Sequence, residues 1–193
     1  MQRYLSMSAL VLQRAIAIGR ARKAAAKSVA RNADMSKTMD QLATEVGAML
    51  KADAKILATA ESCTGGGIAE VITRIPGSSA WFDRAFVTYS NEAKIDMLGV
   101  KKAILDSVGA VSEAVVRGMA EGALARSSAD IVVAVTGIAG PDGGTPDKPV
   151  GTVWFAWAYK NKSTISACCV FSGDRSAVRH QTIIHALTKL LHN

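Results

Sequence analysis

Hydrophobic and polar positions alternate along the chain with two different periods. Apolar residues repeat every three or four positions near residues 42–50 and 68–75, which predicts helices that each bury one face. Further helices are predicted at 91–98, from Ser112 to about residue 127, and after Asp174. Ser112 and Asp174 are of the residue types that accept hydrogen bonds from the first amides of a helix. These segments form the helical part of the predicted fold.

Short apolar runs with the character of β-strands lie between the predicted helices. Runs at 55–60, 84–90 and 130–135 are each followed by polar or glycine-rich sequence. Two longer runs, 151–159 and 163–171, are separated by only three polar residues, which predicts an antiparallel hairpin. Strands that alternate with helices are typical of a layered α/β domain. We therefore predict a three-layer α/β/α sandwich with a mixed, mostly parallel sheet and one antiparallel hairpin.

Composition and charge narrow the class of protein and divide the chain. Of 193 residues 49% are hydrophobic and 20% charged, which excludes collagen-like and disordered classes. No apolar run approaches the roughly 20 residues that span a bilayer, so no membrane partner is predicted. Residues 1–34 hold seven basic side chains and one acidic side chain, whereas the rest of the chain is nearly neutral. No nucleic acid is therefore expected to bind the folded body.

The charge distribution predicts two parts of different kinds. Residues 1–34 form a basic, Ala/Arg-rich N-terminal extension. It is predicted to be an organelle-targeting segment, a surface tail, or sequence upstream of a natural start at Met35. Residues 35–193 form one domain. The cysteines are three in number, and two of them, Cys168 and Cys169, are adjacent, which makes a disulfide framework unfavourable. We therefore predict a reducing, cytoplasmic location, with organelle targeting by the extension as the alternative.

Two loops are too polar and too rich in glycine to be simple connections. The segments 61–67 and 136–149 each follow a predicted strand, and a third polar segment, 89–94, joins a strand to a helix. In α/β sheets, ligands bind beyond the carboxyl ends of strands, in loops that lead into helices. We therefore expect the three segments to meet at one edge of the sheet.

Residue types in these segments suggest nucleophilic catalysis. The Ser62 hydroxyl is a poor nucleophile until a base removes its proton, and Lys94 can act as that base if burial lowers its pKa. In this hypothesis Tyr89 orients the proton transfer, and backbone amides of the glycine turn stabilise the oxyanion. Cys63 and a water molecule remain open as alternative nucleophiles.

Metal chemistry has no support in the sequence. His180 and His185 are five positions apart in a predicted helix, about 140° around its axis, so they do not share a face. Together with His192 they are predicted to be surface residues. No metal site and no cofactor are predicted.

Six short motifs occur in order through the body of the chain. They are AESCTGG from Ala60, PGSS from Pro76, YSNEAK from Tyr89, GAVSE from Gly109, AVTGIAGP from Ala134 and KPVGTV from Lys148. Over roughly residues 39–191 the sequence resembles the C-terminal domain of the competence/damage-inducible CinA proteins. The resemblance implies deamidation of nicotinamide mononucleotide to nicotinate mononucleotide and ammonia, within NAD salvage. It also implies a homodimer or a higher homo-oligomer.

The resemblance assigns roles to individual residues. The catalytic serine, lysine and tyrosine of the family fall on Ser62, Lys94 and Tyr89. A threonine and an arginine fall on Thr136 and Arg175, and Arg175 is expected to contact the substrate phosphate. Neighbouring polar and glycine positions complete the predicted substrate-binding set: Thr64, Gly65, Gly66, Asn91 and Gly137.

A second functional class stays open at this point. The chain would then be a non-catalytic nucleotide-binding or interaction module whose basic extension contacts nucleic acid or a membrane. The complete set of Ser62, Tyr89 and Lys94 favours the enzyme.

Overall fold

The computed structural model of the protein describes residues 37–192. The predicted basic extension over 1–34 lies outside the described residues. Residues 38–192 lie in one compact unit. Between residues 37 and 192 the chain forms six α-helices and a five-stranded sheet. No helix in this part of the chain is long and apolar enough to cross a membrane.

The elements follow one another in an order that mixes helices and strands. They are α1 (Met39–Ala52), β1 (Leu57–Glu61), α2 (Gly67–Thr73), a short 3₁₀ helix (Ser78–Ala80), β2 (Phe82–Val87), α3 (Asn91–Leu98), α4 (Lys102–Val108), α5 (Glu113–Ala125), β3 (Ile131–Gly137), β4 (Thr152–Tyr159), β5 (Ile165–Val170) and α6 (Arg175–Leu190).

The five strands form one mixed sheet in the order β2-β1-β3-β4-β5. Strand β1 is parallel to both β2 and β3, whereas β4 is antiparallel to both β3 and β5. Four strands therefore share one direction, and β4–β5 is the predicted hairpin. In the register of the sheet, Glu61 at the end of β1 lies beside Val87 of β2 and Val135 of β3. The loops that follow these three strands consequently leave the sheet at the same edge.

Helices cover both faces of the sheet. Helices α1, α2 and α6 pack on one face, and α3, α4 and α5 pack on the other. The first face buries large side chains such as Phe155 and Trp157. The second buries small residues such as Ala58 and Ala134, which leave room for α5 to lie close to the sheet. The predicted three-layer α/β/α sandwich is thus confirmed.

The largest differences from the predicted elements are the following three. Strand β2 ends at Val87 and does not reach Ser90. Strand β3 continues through Thr136 and Gly137, which were predicted as the start of a loop. Helix α4 was not predicted, because it has only seven residues and its N-cap, Lys101, makes no side-chain capping bond.

The prediction that all three histidines lie on the surface was wrong for one of them. His180 and His192 are exposed, but His185 is partly buried among aromatic rings, with Phe155 at 4.6 Å between ring centroids. Its Nε2 lies 3.7 Å from the Cys169 sulfur. Burial is the main reason that the pKa of His185 is lowered. The helical spacing alone did not show that this face of α6 lies over the sheet.

Candidate active site

A cavity of about 250 Å³ opens at the carboxyl edge of the sheet. Its lining combines residues from the loops after β1, β2 and β3 with the start of α6. The lining residues are Ser62, Cys63, Tyr89, Asn91, Lys94, Ala110, Val111, Thr136, Gly137, Ala139 and Arg175. Seven of the ten predicted site residues are among them. The remaining three, in the glycine turn (residues 62–66), are Thr64, Gly65 and Gly66.

The Lys94 amine meets the Ser62 hydroxyl inside this cavity. Lys94 Nζ lies 3.1 Å from Ser62 Oγ, although the residues are 32 positions apart in sequence. The amine also donates to the carbonyl oxygens of Thr88, at 2.8 Å, and Ser90, at 3.3 Å. The Ser90 side chain caps α3, and Lys94 lies in the first turn of that helix. Side chains in a helix tilt toward its N-terminus. Because the N-terminus of α3 lies at the sheet edge, this tilt points Lys94 back to that edge.

Burial favours the neutral form of the Lys94 amine. Only 1% of the residue is exposed, and this desolvation lowers its pKa. A neutral amine has two N–H bonds and one lone pair. The two N–H bonds match the carbonyls of Thr88 and Ser90, which leaves the lone pair for the hydroxyl proton of Ser62. The arrangement can therefore act as a nucleophile with its general base.

The sheet fixes Ser62 and Lys94 relative to each other. The Ser62 N–H donates to Val135 O at 3.1 Å, so the serine backbone is bound to β3. The Thr88 N–H donates to Glu61 O at 2.8 Å. The Thr88 carbonyl in turn accepts from Lys94 Nζ. The backbone of Thr88 therefore connects Glu61, the residue before the serine, to the lysine amine.

Several amides in the glycine turn and directly after it have partners within the protein. The Gly65 and Gly67 amides donate to the carbonyls of Ser62 and Thr64, at 3.0 and 3.1 Å. The amides of Ile68 and Ala69, at the start of α2, donate to the Glu61 carboxylate. These four amides therefore have partners within the protein and are not available as oxyanion donors. For the other amides of the turn the oxyanion role stays a prediction.

Thr64 also has a different position from the one expected. Its side chain is fully buried, and its hydroxyl donates to Glu61 Oε2 at 2.7 Å. Its carbonyl accepts from Arg179 Nη2 at 2.7 Å. Thr64 is thus bonded to the protein interior and is not among the residues that line the cavity.

The alternative nucleophile, Cys63, lines the cavity but is held as a thiol. Only 5% of the residue is exposed. Burial raises the pKa of the Cys63 thiol to about 12, and the negative charge of Glu61 acts in the same direction. A thiolate at this position is therefore unfavourable at neutral pH. Burial disfavours the charged form of both groups, so it lowers the pKa of Lys94 and raises the pKa of Cys63.

Tyr89 and Arg175 form a polar pair at the exposed end of the cavity. Tyr89 is 60% exposed, and its Oη accepts from Arg175 Nη2 at 2.6 Å. A second bond from Arg175 Nη1 reaches Gly140 O at 3.0 Å. The Tyr89 hydroxyl therefore contacts the guanidinium and not the Ser62–Lys94 pair. This position differs from our expectation that Tyr89 orients the proton transfer.

The opposite wall of the cavity is formed by the end of β3 and the loop before α5. The Thr136 hydroxyl donates to Ala110 O at 3.0 Å, which binds this loop to the sheet. A Cβ on Gly137 would lie 2.7 Å from Thr152 O, so this position accepts only glycine. Ala110, Val111 and Ala139 add apolar surface. Sequence reasoning missed these three because small apolar residues carry no chemical signature.

Comparison with known proteins gives the family of this chain. The sequence model described as the CinA C-terminal domain matches residues 39–193. The chain belongs to the CinA C-terminal domain family. This confirms the resemblance inferred from the six motifs.

Members of the CinA family with high identity carry an enzyme name. Nicotinamide-nucleotide amidohydrolase PncC of Escherichia coli (strain K12) is 57% identical over 150 residues, which cover 78% of this chain and 91% of that protein. The Pseudomonas putida protein of the same name is 56% identical over 150 residues, covering 78% and 93%. The crystal structure of competence/damage inducible protein CihA from Agrobacterium tumefaciens has a TM-score of 0.78 at 44% identity, covering 80% of this chain and 94% of that chain.

Proposed function

We propose that this protein hydrolyses the carboxamide of nicotinamide mononucleotide, releasing ammonia and nicotinate mononucleotide, as a step of NAD salvage. The observation that carries the proposal is the 3.1 Å contact between Ser62 Oγ and the buried amine of Lys94. The names of the 56–57% identical relatives, nicotinamide-nucleotide amidohydrolase, support the choice of substrate. We also propose that residues 35–193 form the enzyme domain and that residues 1–34 are separate from it.

The proposed chemistry proceeds through an ester on Ser62. The neutral amine of Lys94 takes the hydroxyl proton as Ser62 Oγ attacks the amide carbon. The protonated amine then gives this proton to the leaving nitrogen, the carbon–nitrogen bond breaks, and ammonia departs. A water molecule attacks the resulting acyl-serine, with Lys94 again taking the proton and returning it to Ser62 Oγ. Nicotinate mononucleotide leaves, and the Ser62–Lys94 pair returns to its starting state.

The charge of the cavity supports an anionic nucleotide as substrate. Arg175 lies at the exposed end, and its bonds to Tyr89 and Gly140 use only two of its five N–H groups. The substrate phosphate can therefore accept from the remaining groups. Among the described residues that line the cavity there is no carboxylate. The positively charged pyridinium ring would be repelled by a charged Lys94, so the neutral amine suits both the substrate and the reaction.

The function is tested by ammonia release from nicotinamide mononucleotide, with product identified by mass spectrometry. We expect the wild-type chain to release ammonia and nicotinate mononucleotide in equal amounts. Lys94→Ala removes the general base and should lower kcat/KM by about 10²- to 10⁴-fold. The matched control is Lys102→Ala, since Lys102 is an exposed lysine paired with Asp106 on the neighbouring helix α4. This control should keep the wild-type rate.

Substrate analogues separate the proposal from a non-catalytic role. Nicotinamide riboside lacks the phosphate, so its KM should be higher than that of the nucleotide if Arg175 binds phosphate. A wild-type chain that binds the nucleotide without releasing ammonia would support the alternative of a nucleotide-binding module. Full activity of Lys94→Ala would contradict the role given to the lysine.

A further inference from the structure

Glu61 is a buried carboxylate that the proposed chemistry does not use. It is fully buried at the end of β1, directly before Ser62. A carboxylate in the interior is unfavourable unless its oxygens are satisfied by donors. The surroundings of Glu61 should therefore show what the residue does for the fold or for the site.

Four donors converge on the Glu61 carboxylate, two on each oxygen. Oε1 accepts from the Thr59 hydroxyl at 3.1 Å and from the Ala69 amide at 2.9 Å. Oε2 accepts from the Thr64 hydroxyl at 2.7 Å and from the Ile68 amide at 3.0 Å. Both carboxyl oxygens are therefore satisfied by hydrogen bonds in the interior. The carboxyl group lies at the positive end of α2.

This carboxylate replaces the usual cap of helix α2. The N-cap position is Gly66, which has no side chain to accept from the first amides of the helix. Glu61, at the end of the preceding strand, accepts from the amides of Ile68 and Ala69 instead. One side chain therefore connects β1, the glycine turn and the first turn of α2. Ser62 is the first residue of the turn that is held in this way.

We infer that Glu61 is a positioning residue for the proposed amide hydrolysis, and that Thr64 supports its carboxylate instead of binding substrate. The inference rests on the proposed function. Ser62 Oγ must stay within reach of Lys94 Nζ, now at 3.1 Å, and Glu61 fixes the turn on which the serine lies. A displacement of about 1 Å between reacting groups can lower a rate by about 10²-fold.

The first test replaces the carboxylate by an amide of the same shape. In Glu61→Gln the new NH₂ group faces a backbone N–H, of Ile68 or of Ala69, that pointed at an oxygen. Two donors then face each other, so the turn must shift. Measured by ammonia release from nicotinamide mononucleotide, kcat should fall about 10²-fold. KM should stay within about threefold of wild type because Arg175, the proposed phosphate contact, lies outside the turn. The matched control is Glu70→Gln, because Glu70 is an exposed carboxylate on α2, the helix that Glu61 caps, and is paired with Arg74. It should change neither constant.

A second measurement separates local positioning from loss of the fold. The melting temperature of each variant is determined with and without nicotinamide mononucleotide. A ligand that binds the folded protein raises its melting temperature. We expect the nucleotide to raise the melting temperature of Glu61→Gln as it raises that of wild type, while turnover is lost.

The second test uses a pair of variants at Thr64. Thr64→Val keeps the shape of the side chain and removes the hydroxyl, whereas Thr64→Ser keeps the hydroxyl. Thr64→Val should lower kcat about tenfold with KM unchanged, and Thr64→Ser should restore kcat to within about twofold of wild type. If Glu61→Gln fails to fold, the two Thr64 variants test the positioning role instead. Thr64→Val removes only one hydroxyl that bonds to Glu61, so it disturbs the fold less.

Different outcomes overturn different statements. A folded Glu61→Gln that binds the nucleotide and keeps kcat within twofold would overturn the positioning role. A rise in KM with unchanged kcat in Thr64→Val would return Thr64 to the substrate-binding residues. If the wild-type chain releases no ammonia, the proposed function fails and this inference fails with it. An active wild type supports the proposed function, and loss of turnover in a Glu61→Gln variant that still folds and binds the nucleotide supports the positioning role.

Discussion

The Lys94 amine lies in the protein interior, where a charged amine without a carboxylate partner is unfavourable. Its contacts are two backbone carbonyls and one serine hydroxyl. The same burial keeps the neighbouring Cys63 protonated. Desolvation thus produces a neutral base and a neutral thiol side by side, and only the base helps a hydroxyl to react.

The lowered pKa of Lys94 predicts a pH dependence of activity. Only the neutral amine can accept the Ser62 proton, so kcat/KM should rise with pH through the pKa of Lys94. The midpoint should lie below the ordinary lysine value of about 10.4, because burial lowers the pKa. The thiol of Cys63, with a pKa of about 12, ionises at higher pH. Cys63→Ala should therefore show the same profile as wild type.

The same lowered pKa has a consequence for stability with a defined sign. Between the folded-state pKa of Lys94 and about 10.4, the unfolded chain binds more protons at this position than the folded chain. The free energy of unfolding therefore rises with pH in this window. Lys94→Met lacks the effect, so its melting temperature relative to wild type should increase as the pH is lowered. A midpoint at or above about 10.4 in the dependence of kcat/KM on pH would contradict the argument that burial lowers the pKa of Lys94.

Individual residues also show where sequence reasoning ends. Ser62 and Lys94 follow strands in sequence, and the parallel order brought them together. Thr64 and Tyr89 occupy equally suggestive positions, but their hydroxyls contact Glu61 and Arg175. Whether a hydroxyl faces a ligand or the protein depends on side-chain direction, which spacing along the chain does not contain.

Helix ends were predicted well where a local signal exists. Helix α3 spans the predicted residues because Ser90 caps its start and Gly99, with φ of 70°, ends it in the left-handed region. Strand ends are less certain, since the continuation of β3 to Gly137 depends on pairing with β4. Such pairing is a property of distant sequence, so the chain near residue 137 does not show it.

The packing of α3 against α5 predicts different effects for two glycines of α5. A Cβ on Gly122 would lie 1.9 Å from Leu98 O, whereas a Cβ on Gly118 would meet Val100 Cγ2 at 3.7 Å. Gly122→Ala should therefore displace α3, which carries Lys94. We expect a loss of about 1–3 kcal/mol in the free energy of unfolding, seen as a lower melting temperature, together with reduced kcat/KM.

Gly118→Ala is the matched control for that change. Its Cβ makes an ordinary contact, and alanine is favoured over glycine in a helix by up to about 1 kcal/mol. The melting temperature of this variant should be equal to or above that of wild type. Equal stability of the two variants would contradict the close contact between α3 and α5.

At the scale of the whole molecule, the site is a product of topology. Three parallel strands end at the same edge, and their loops supply residues that lie far apart in sequence. The layer order and the chosen edge could be predicted, because alternating elements and polar loops are visible in the sequence. The binding of the first α2 amides to Glu61 could not be predicted. A glycine turn before a helix can present these amides either to a ligand or to a buried carboxylate of the protein.

A larger groove elsewhere on the domain illustrates why volume alone does not locate the chemistry. It measures about 730 Å³ and lies between α5 and the β4–β5 hairpin. Its described lining, which includes Arg117, Glu121 and Lys162, holds no buried base beside a nucleophile. The smaller cavity at the sheet edge is the one with the Ser62–Lys94 pair.

The most direct measurement compares ammonia release by Ser62→Ala and Cys63→Ala under single-turnover conditions with nicotinamide mononucleotide. Removing the attacking oxygen should lower the rate by at least about 10³-fold, as expected for loss of a nucleophile. Removing the neighbouring thiol should leave most of the rate, because Cys63 is protonated. The reverse result, an active Ser62→Ala and an inactive Cys63→Ala, would contradict the account.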